Sequence, residues 1–195
     1  MGGLLIPGVI IVGILLYLAS TYNSFQTTDT RIEAAIQEIG NQLKRQASLI
    51  PNLESSVKGY MKHEKDIFKS LTDARKSIQT AAGNASGKNL DEVESQLNTL
   101  ASKLTIMVES NPEIKADSTV NNFMNELRDT ADKLMYSRRA VIDLTQNYNQ
   151  MLVTFPTNLI GKTFGFTKKA GISTPMTGAH MEVSESEMHD PKVNL

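Results

Sequence analysis

Residues 43–64 read LKRQASLIPNLESSVKGYMKHE. Apolar residues recur here with alternating steps of four and three, and the same stripe extends on both sides. This is a heptad pattern, and it predicts packed helices. Two of its members, Gln46 and Glu64, are polar. The stripe consists of Ile32, Ile36, Ile39, Leu43, Gln46, Ile50, Leu53, Val57, Tyr60, Glu64, Ile67, Leu71, Ala74, Ile78 and Ala81.

Pro51 interrupts this stripe. Proline removes one backbone hydrogen bond and clashes with the preceding helical turn, so the chain either kinks or reverses direction there. The stripe keeps its phase across Pro51, which a kink requires and a reversal does not. Both readings stay open at the level of sequence.

Two further amphipathic helices follow the loop Gly83–Gly87. Asn111-Pro112 ends the first of them, and Ser118 is the expected N-cap of the second, which Pro156 stops. Their stripes are Leu90, Val93, Leu97, Leu100, Leu104 and Met107, then Val120, Met124, Leu127, Ala131, Leu134, Arg138, Val141, Thr145, Tyr148, Leu152 and Phe155. Together the stripes predict an all-α fold.

The N-terminal segment reads GGLLIPGVIIVGILLYLA over residues 2–19 and carries no charge. About twenty apolar residues span a bilayer core, so this segment predicts a single transmembrane anchor. A cleaved signal peptide fits less well, because no basic residue precedes the apolar run and Tyr17 stands where a small residue is needed. The nearest basic residue, Arg31, follows the span, which favours a cytoplasmic bundle.

The chain therefore divides into three parts. Residues 1–23 are the predicted anchor and residues 24–166 an antiparallel helical bundle. Residues 167–195 lack periodicity and are rich in Ser, Thr, Gly and acidic residues, so they are predicted to be a flexible tail.

Composition narrows the classes of function. The formal net charge is -1, which argues against a nucleic-acid binder. There is no cysteine. His63 and Glu64 do not form a metalloprotease motif, because no second histidine follows at the required spacing. No catalytic, cofactor or metal site is predicted, and His63 is interpreted as structural.

Lysines follow the side of the helix opposite the apolar stripe, and we interpret them mainly as a solvated surface. The alternative is contact with anionic lipid headgroups or an acidic protein. The residues concerned are Lys58, Lys62, Lys65, Lys69 and Lys76. Glu64 in the stripe needs a partner if it is buried. Arg138, on the stripe of the last helix, is the candidate, and Arg139 and Arg75 are the alternatives.

The quoted stretch resembles the signature of the LemA family, which typically shows a QLKRR-x-x-LIPNL-x-x-x-VKGY-x-x-HE run. Other matches are Tyr148-Asn149 with the family's YN, Phe155-Pro156-Thr157-Asn158 with its FPSN, and Pro191-Lys192-Val193 with its PKV ending. This sequence departs from the family pattern at Gln46, where a second arginine is usual.

The resemblance implies one N-terminal membrane helix with a short exposed N-terminus, a four-helix bundle behind it and no established enzymatic activity. A count of four helices favours a reversal of the chain near Pro51, against the argument from the phase of the stripe. The preferred function is a non-enzymatic scaffold or interaction protein at the membrane. The alternatives are a membrane-associated hydrolase or accessory enzyme, and a secreted binding protein if the apolar segment is cleaved. The candidate partners are the lipid bilayer, an anionic lipid or protein at the lysines, and a second copy of the chain.

Overall fold

The structure is a computed structural model that describes residues 5–58 and 65–172. Within these residues there are helices and turns but no strand, which confirms the all-α prediction. The helices of the described part are α1 (Leu5–Val57), α2 (Lys65–Gly83), α3 (Gly87–Ser110), α4 (Pro112–Ala116), α5 (Ser118–Met151) and α6 (Thr157–Thr163).

Helix α1 combines the apolar N-terminal segment with the first helix of the bundle. Its 53 residues make it about 80 Å long at about 1.5 Å per residue. The apolar side chains before Thr21 are almost all exposed, and a buried side begins at Thr21 and Phe25. By length and composition, α1 can cross a membrane. The boundary predicted at residue 23 lies inside this helix.

Pro51 lies inside α1, which continues unbroken to Val57. The chain therefore does not reverse at Pro51, in agreement with the unbroken phase of the apolar stripe, and the reversal that the family's four-helix count favoured is wrong. The next helix, α2, begins at Lys65 and packs against α1.

The long helices pack antiparallel to their neighbours. α5 runs back along α1, and α3 lies against both α5 and α2. Two contacts set each of the first two directions: Phe25–Tyr148 and Arg45–Glu126 between α1 and α5, and Arg138–Asp91 and Arg128–Thr105 between α5 and α3. Helices α2 and α3 are joined by the short loop 84–86 and meet again at Lys103–Ser70.

The apolar stripes form two separate groups of buried side chains. The larger core lies among α1 to α5, and its members include Leu43, Ile78 and Leu104. A smaller aromatic cluster of Phe25, Ile32 and Tyr148 lies nearer the exposed apolar part of α1. Burying each large apolar side chain contributes about 1.5–3 kcal/mol, so the larger core supplies most of the hydrophobic stabilisation.

One member of the first stripe departs from the expectation. Ile36 is 49% exposed, although Ile32 and Ile39, on either side of it, are buried. The seven-residue step from Ile32 to Ile39 keeps these two residues on one side of α1. Ile36 falls on the edge of that side, so a strict heptad reading overestimated its burial.

The ends of α5 differ from the prediction. The N-cap is Asp117, not Ser118, because its side chain accepts hydrogen bonds from the backbone N–H groups of Thr119 and Val120. The helix ends at Met151, before Phe155. The β-branched and aromatic residues of the sequence VTF at 153–155 favour helix weakly and precede a proline, which explains the earlier end.

Candidate interaction sites

The lysines singled out from the sequence are exposed where they are described. Lys58, Lys65 and Lys69, the lysine end, are all on the surface, and no ion pair to them is found within residues 5–58 and 65–172. Lys76 is also exposed and borders a groove between α2 and α3. Lys62 lies outside the described residues.

The lysine end lies far along the molecule from the apolar part of α1. The cross-helix contacts place the start of α2 at the same level as Arg45 of α1. From Ser20 to Arg45, α1 rises about 37 Å, and to Val57 about 55 Å, at about 1.5 Å per residue. These lysines are thus presented at the end of the bundle remote from the apolar part of α1.

Arg138 has carboxylate partners on α3. Its Nη1 atom lies 2.6 Å from Asp91 Oδ1 and 3.8 Å from Glu94 Oε2, and its side chain is only 13% exposed. The proposed partner Glu64 and the neighbouring His63 lie outside the described residues, so a Glu64–Arg138 contact stays a prediction. The charge of Arg138 is already balanced without it.

Gln46, the other polar member of the stripe, is completely buried. Neither its Oε1 nor its Nε2 atom has a hydrogen-bond partner among the residues that the structure describes. An unpaired buried amide costs about 1–3 kcal/mol. Gln46 is therefore a local weakness in the larger core.

Residues 164–172, the closing segment, pack back onto α1 and α5. Phe166 stacks on Phe25 with ring centroids 4.6 Å apart, and Phe25 in turn makes an edge contact with Tyr148 at 5.5 Å. The Asn149 side chain binds the closing segment through two hydrogen bonds of 2.9 Å: Nδ2 donates to the Lys169 carbonyl, and Oδ1 accepts from the Lys169 N–H. The first residues of the predicted tail, 167–172, thus lie against the bundle. The residues after 172 lie outside the described part.

An ion pair joins the closing segment to α1. Lys169 Nζ lies 2.6 Å from Asp29 Oδ1 and 5.8 Å from the centre of the Tyr148 ring. The hydrogen bond to Asp29 raises the pKa of Lys169 above its usual value. Burial, followed by the nearby charge of Asp29, raises the pKa of Tyr148. Both shifts favour a protonated lysine and a neutral phenol.

Gly171 allows the closest approach in the closing segment. Its φ of +63° is unfavourable for other residues, and a Cβ atom there would lie 2.8 Å from Thr145 Cγ2. Gly171 is therefore required by both the backbone conformation and the space available.

The sequence alone did not reveal this arrangement, because the closing segment has no periodicity. The available signals were the Tyr148-Asn149 pair and the two phenylalanines at 164 and 166. In the matching FPTN motif, the Thr157 hydroxyl donates to the Met151 carbonyl at 2.6 Å and closes the end of α5. The motif thus has a structural role at the turn into α6.

Among the described residues, no group of three or more acidic or histidine side chains is arranged to hold a metal ion.

Comparison with known proteins supports the resemblance. No curated protein matches the sequence. The model of the LemA family matches residues 35–193, which is most of the chain. The chain therefore belongs to the LemA family.

Proposed function

We propose that the protein is a membrane-anchored, non-enzymatic scaffold that presents its lysine end to an acidic partner protein. The observation that supports this most is the continuity of α1. The same helix supplies the exposed apolar segment before Thr21 and a buried stripe from Phe25 to Val57. A bundle built on the anchor helix itself is held at a set distance from the bilayer, with the bundle on the cytoplasmic side.

The position of the lysine end favours a protein partner over the lipids that surround the anchor. The attraction of a lysine to anionic headgroups falls off within a Debye length, about 8 Å at physiological ionic strength. The start of α2 is level with Arg45, about 37 Å along α1 from Ser20. An upright α1 therefore keeps Lys65 and Lys69 beyond the reach of those headgroups.

The experiment is photo-crosslinking in the native membrane, with a crosslinking amino acid at Lys65 or Lys69 of the full chain. Lys88, an exposed lysine at the start of α3, is the matched control, because it lies at the opposite end of the α2–α3 pair from Lys65. The proposal predicts a protein adduct from the lysine end that is absent from Lys88. The adduct should weaken in high salt and disappear when Lys65→Glu and Lys69→Glu are combined. Equal crosslinking from Lys88 would contradict the proposal, and so would an adduct that persists when the lysines are replaced by glutamate.

A further inference from the structure

We propose that the turn between α5 and α6 inserts into the interface of the same bilayer that α1 enters, as a second membrane contact. This inference rests on the proposed membrane anchoring. The apolar patch that carries it consists of Val153, Phe155, Leu159 and Phe164, whose exposed fractions lie between 54% and 76%. Val153 and Phe155 lie on the turn, Leu159 lies in α6 and Phe164 directly follows α6. Four large exposed apolar side chains so close in sequence are a feature of contact surfaces rather than of ordinary solvated segments.

The apolar patch lies at the level where the apolar part of α1 ends. Phe164 contacts Tyr22 with ring centroids 5.0 Å apart. Met151, the last residue of α5, has its sulfur atom 4.0 Å from the Ser24 hydroxyl. The patch is thus continuous with the surface of α1 at Tyr22.

The length of α1 places the edge of the hydrocarbon core at the same level. From Leu5 to Tyr22, α1 rises about 26 Å, slightly less than the thickness of about 30 Å of the hydrocarbon core of a bilayer. A crossing that begins near Leu5 therefore ends within about one helical turn of Tyr22. The first charged residue of α1 is Asp29, about 10 Å further along. This distance leaves room for the headgroup layer.

The charges around the apolar patch match a membrane surface. Residues 144–172 contain no aspartate or glutamate, and the lysines among them are Lys162, Lys168 and Lys169. Lys169 is paired with Asp29, whereas Lys162 and Lys168 are exposed. Apolar side chains flanked by exposed cations suit the boundary between acyl chains and anionic headgroups.

Close packing holds the patch in this position. Gly161 of α6 is buried against α1 and α5, where an added Cβ would lie 2.8 Å from Leu152 Cδ2 and 3.4 Å from Phe25 Cζ. The two contacts fix α6 against the aromatic cluster, so its exposed residue Leu159 has a defined direction. A fixed patch beside the anchor would restrict the tilt of the bundle relative to the bilayer.

The test uses fluorescence quenching on the full chain in liposomes of zwitterionic and anionic lipids. Because the sequence has no cysteine, Val153→Cys and Leu159→Cys each give one site for a fluorophore. Leu15→Cys in the anchor and Arg139→Cys, on an exposed part of α5, are the controls. Quenching by a lipid nitroxide near the headgroup is compared with quenching by aqueous iodide.

We expect the labels at 153 and 159 to be quenched by the lipid nitroxide several-fold more than the label at 139, and to approach the label at 15. If the lipid nitroxide quenches the label at 15 while iodide quenches the labels at 153 and 159, this inference is overturned and the anchor remains supported. Iodide quenching at 15 would overturn the anchor as well. If the labels at 153 and 159 are shielded from both quenchers, and this shielding is lost when the protein is diluted, the apolar patch binds a second copy of the chain and the membrane contact is overturned.

A second variant checks that the apolar side chains cause the insertion. Phe155→Asp with Leu159→Asp, in the labelled Val153→Cys chain, changes only exposed positions and should leave the helical content unchanged. The label should then become accessible to iodide. Ile106→Asp, at an exposed apolar residue of α3, is the matched control and should have no effect. Retained lipid quenching in the double variant would contradict the proposal.

Discussion

Replacing Phe25 by alanine should open the aromatic cluster while leaving the larger core intact. Phe25 is completely buried, stacks on Phe166 at 4.6 Å and meets Tyr148 edge-on at 5.5 Å. Removing a buried phenylalanine side chain costs about 3–5 kcal/mol. Aromatic pairing of this kind accounts for about 0.5–1.5 kcal/mol per contact within that total.

The cost should be local because the two groups of buried residues have no member in common. At about 1.4 kcal/mol per factor of ten, the loss corresponds to local opening that is at least 100-fold more frequent. Amide hydrogen exchange on the full chain in lipid nanodiscs measures this opening segment by segment. Exchange should accelerate in residues 144–151 and 160–172 but not in α3.

Leu104→Ala is the matched control, because Leu104 is completely buried in the larger core. This variant should accelerate amide exchange in α3, while amide exchange in the closing segment of the folded protein stays slow. Equal acceleration of α3 and the closing segment by Phe25→Ala would show that the two groups open as one unit. That result would refute the reasoning.

Three further predictions concern single contacts. Gln46→Met should raise the free energy of unfolding by about 1–3 kcal/mol in a denaturant titration, because it removes an unpaired buried amide. A lower denaturant midpoint for the variant would mean that the Gln46 amide has a hydrogen-bond partner in the folded protein. In a double-mutant cycle, Arg138→Met and Asp91→Asn should show a coupling energy of more than about 0.5 kcal/mol. If these two changes are additive while Arg138→Met couples to Glu64→Gln, the partner of Arg138 is Glu64, as the sequence suggested. The hydrogen bond to Asp29 raises the pKa of Lys169 above that of an ordinary lysine. This contact therefore stabilises the fold below the ordinary lysine pKa of about 10.4, and the stabilisation is lost as the pH rises through the folded-state pKa. Alkaline pH should therefore expose the closing segment to exchange, and Lys169→Met should lose that part of the pH dependence.

The heptad stripe predicted much of the fold because it records burial directly. The same phase before and after Pro51 indicated one continuous helix, and α1 is continuous there. The four-helix count implied by the family resemblance favoured a reversal near Pro51, and that reversal is wrong, because α1 continues to Val57. Ile36 shows the limit of the pattern, because the sequence does not distinguish an apolar residue at the exposed edge of a stripe from its buried neighbours.

The closing segment could not be predicted from periodicity. Its position depends on single long-range contacts, such as Lys169 with Asp29 and Phe166 with Phe25, and each involves residues more than a hundred positions apart. The segment also needs Gly171 in a conformation that only its structural context explains. Irregular segments of this kind are recognisable from sequence mainly through family motifs, here Tyr148-Asn149 and the FPTN turn.

The central claim is that the apolar segment stays attached as the first part of α1 and holds the bundle at the membrane. Carbonate extraction of native membranes, combined with sequencing of the mature N-terminus, tests it most directly. The protein should remain in the membrane pellet with residues 2–19 still present. Release into the carbonate supernatant of a chain that begins near Ser20 would contradict the claim and establish the secreted alternative.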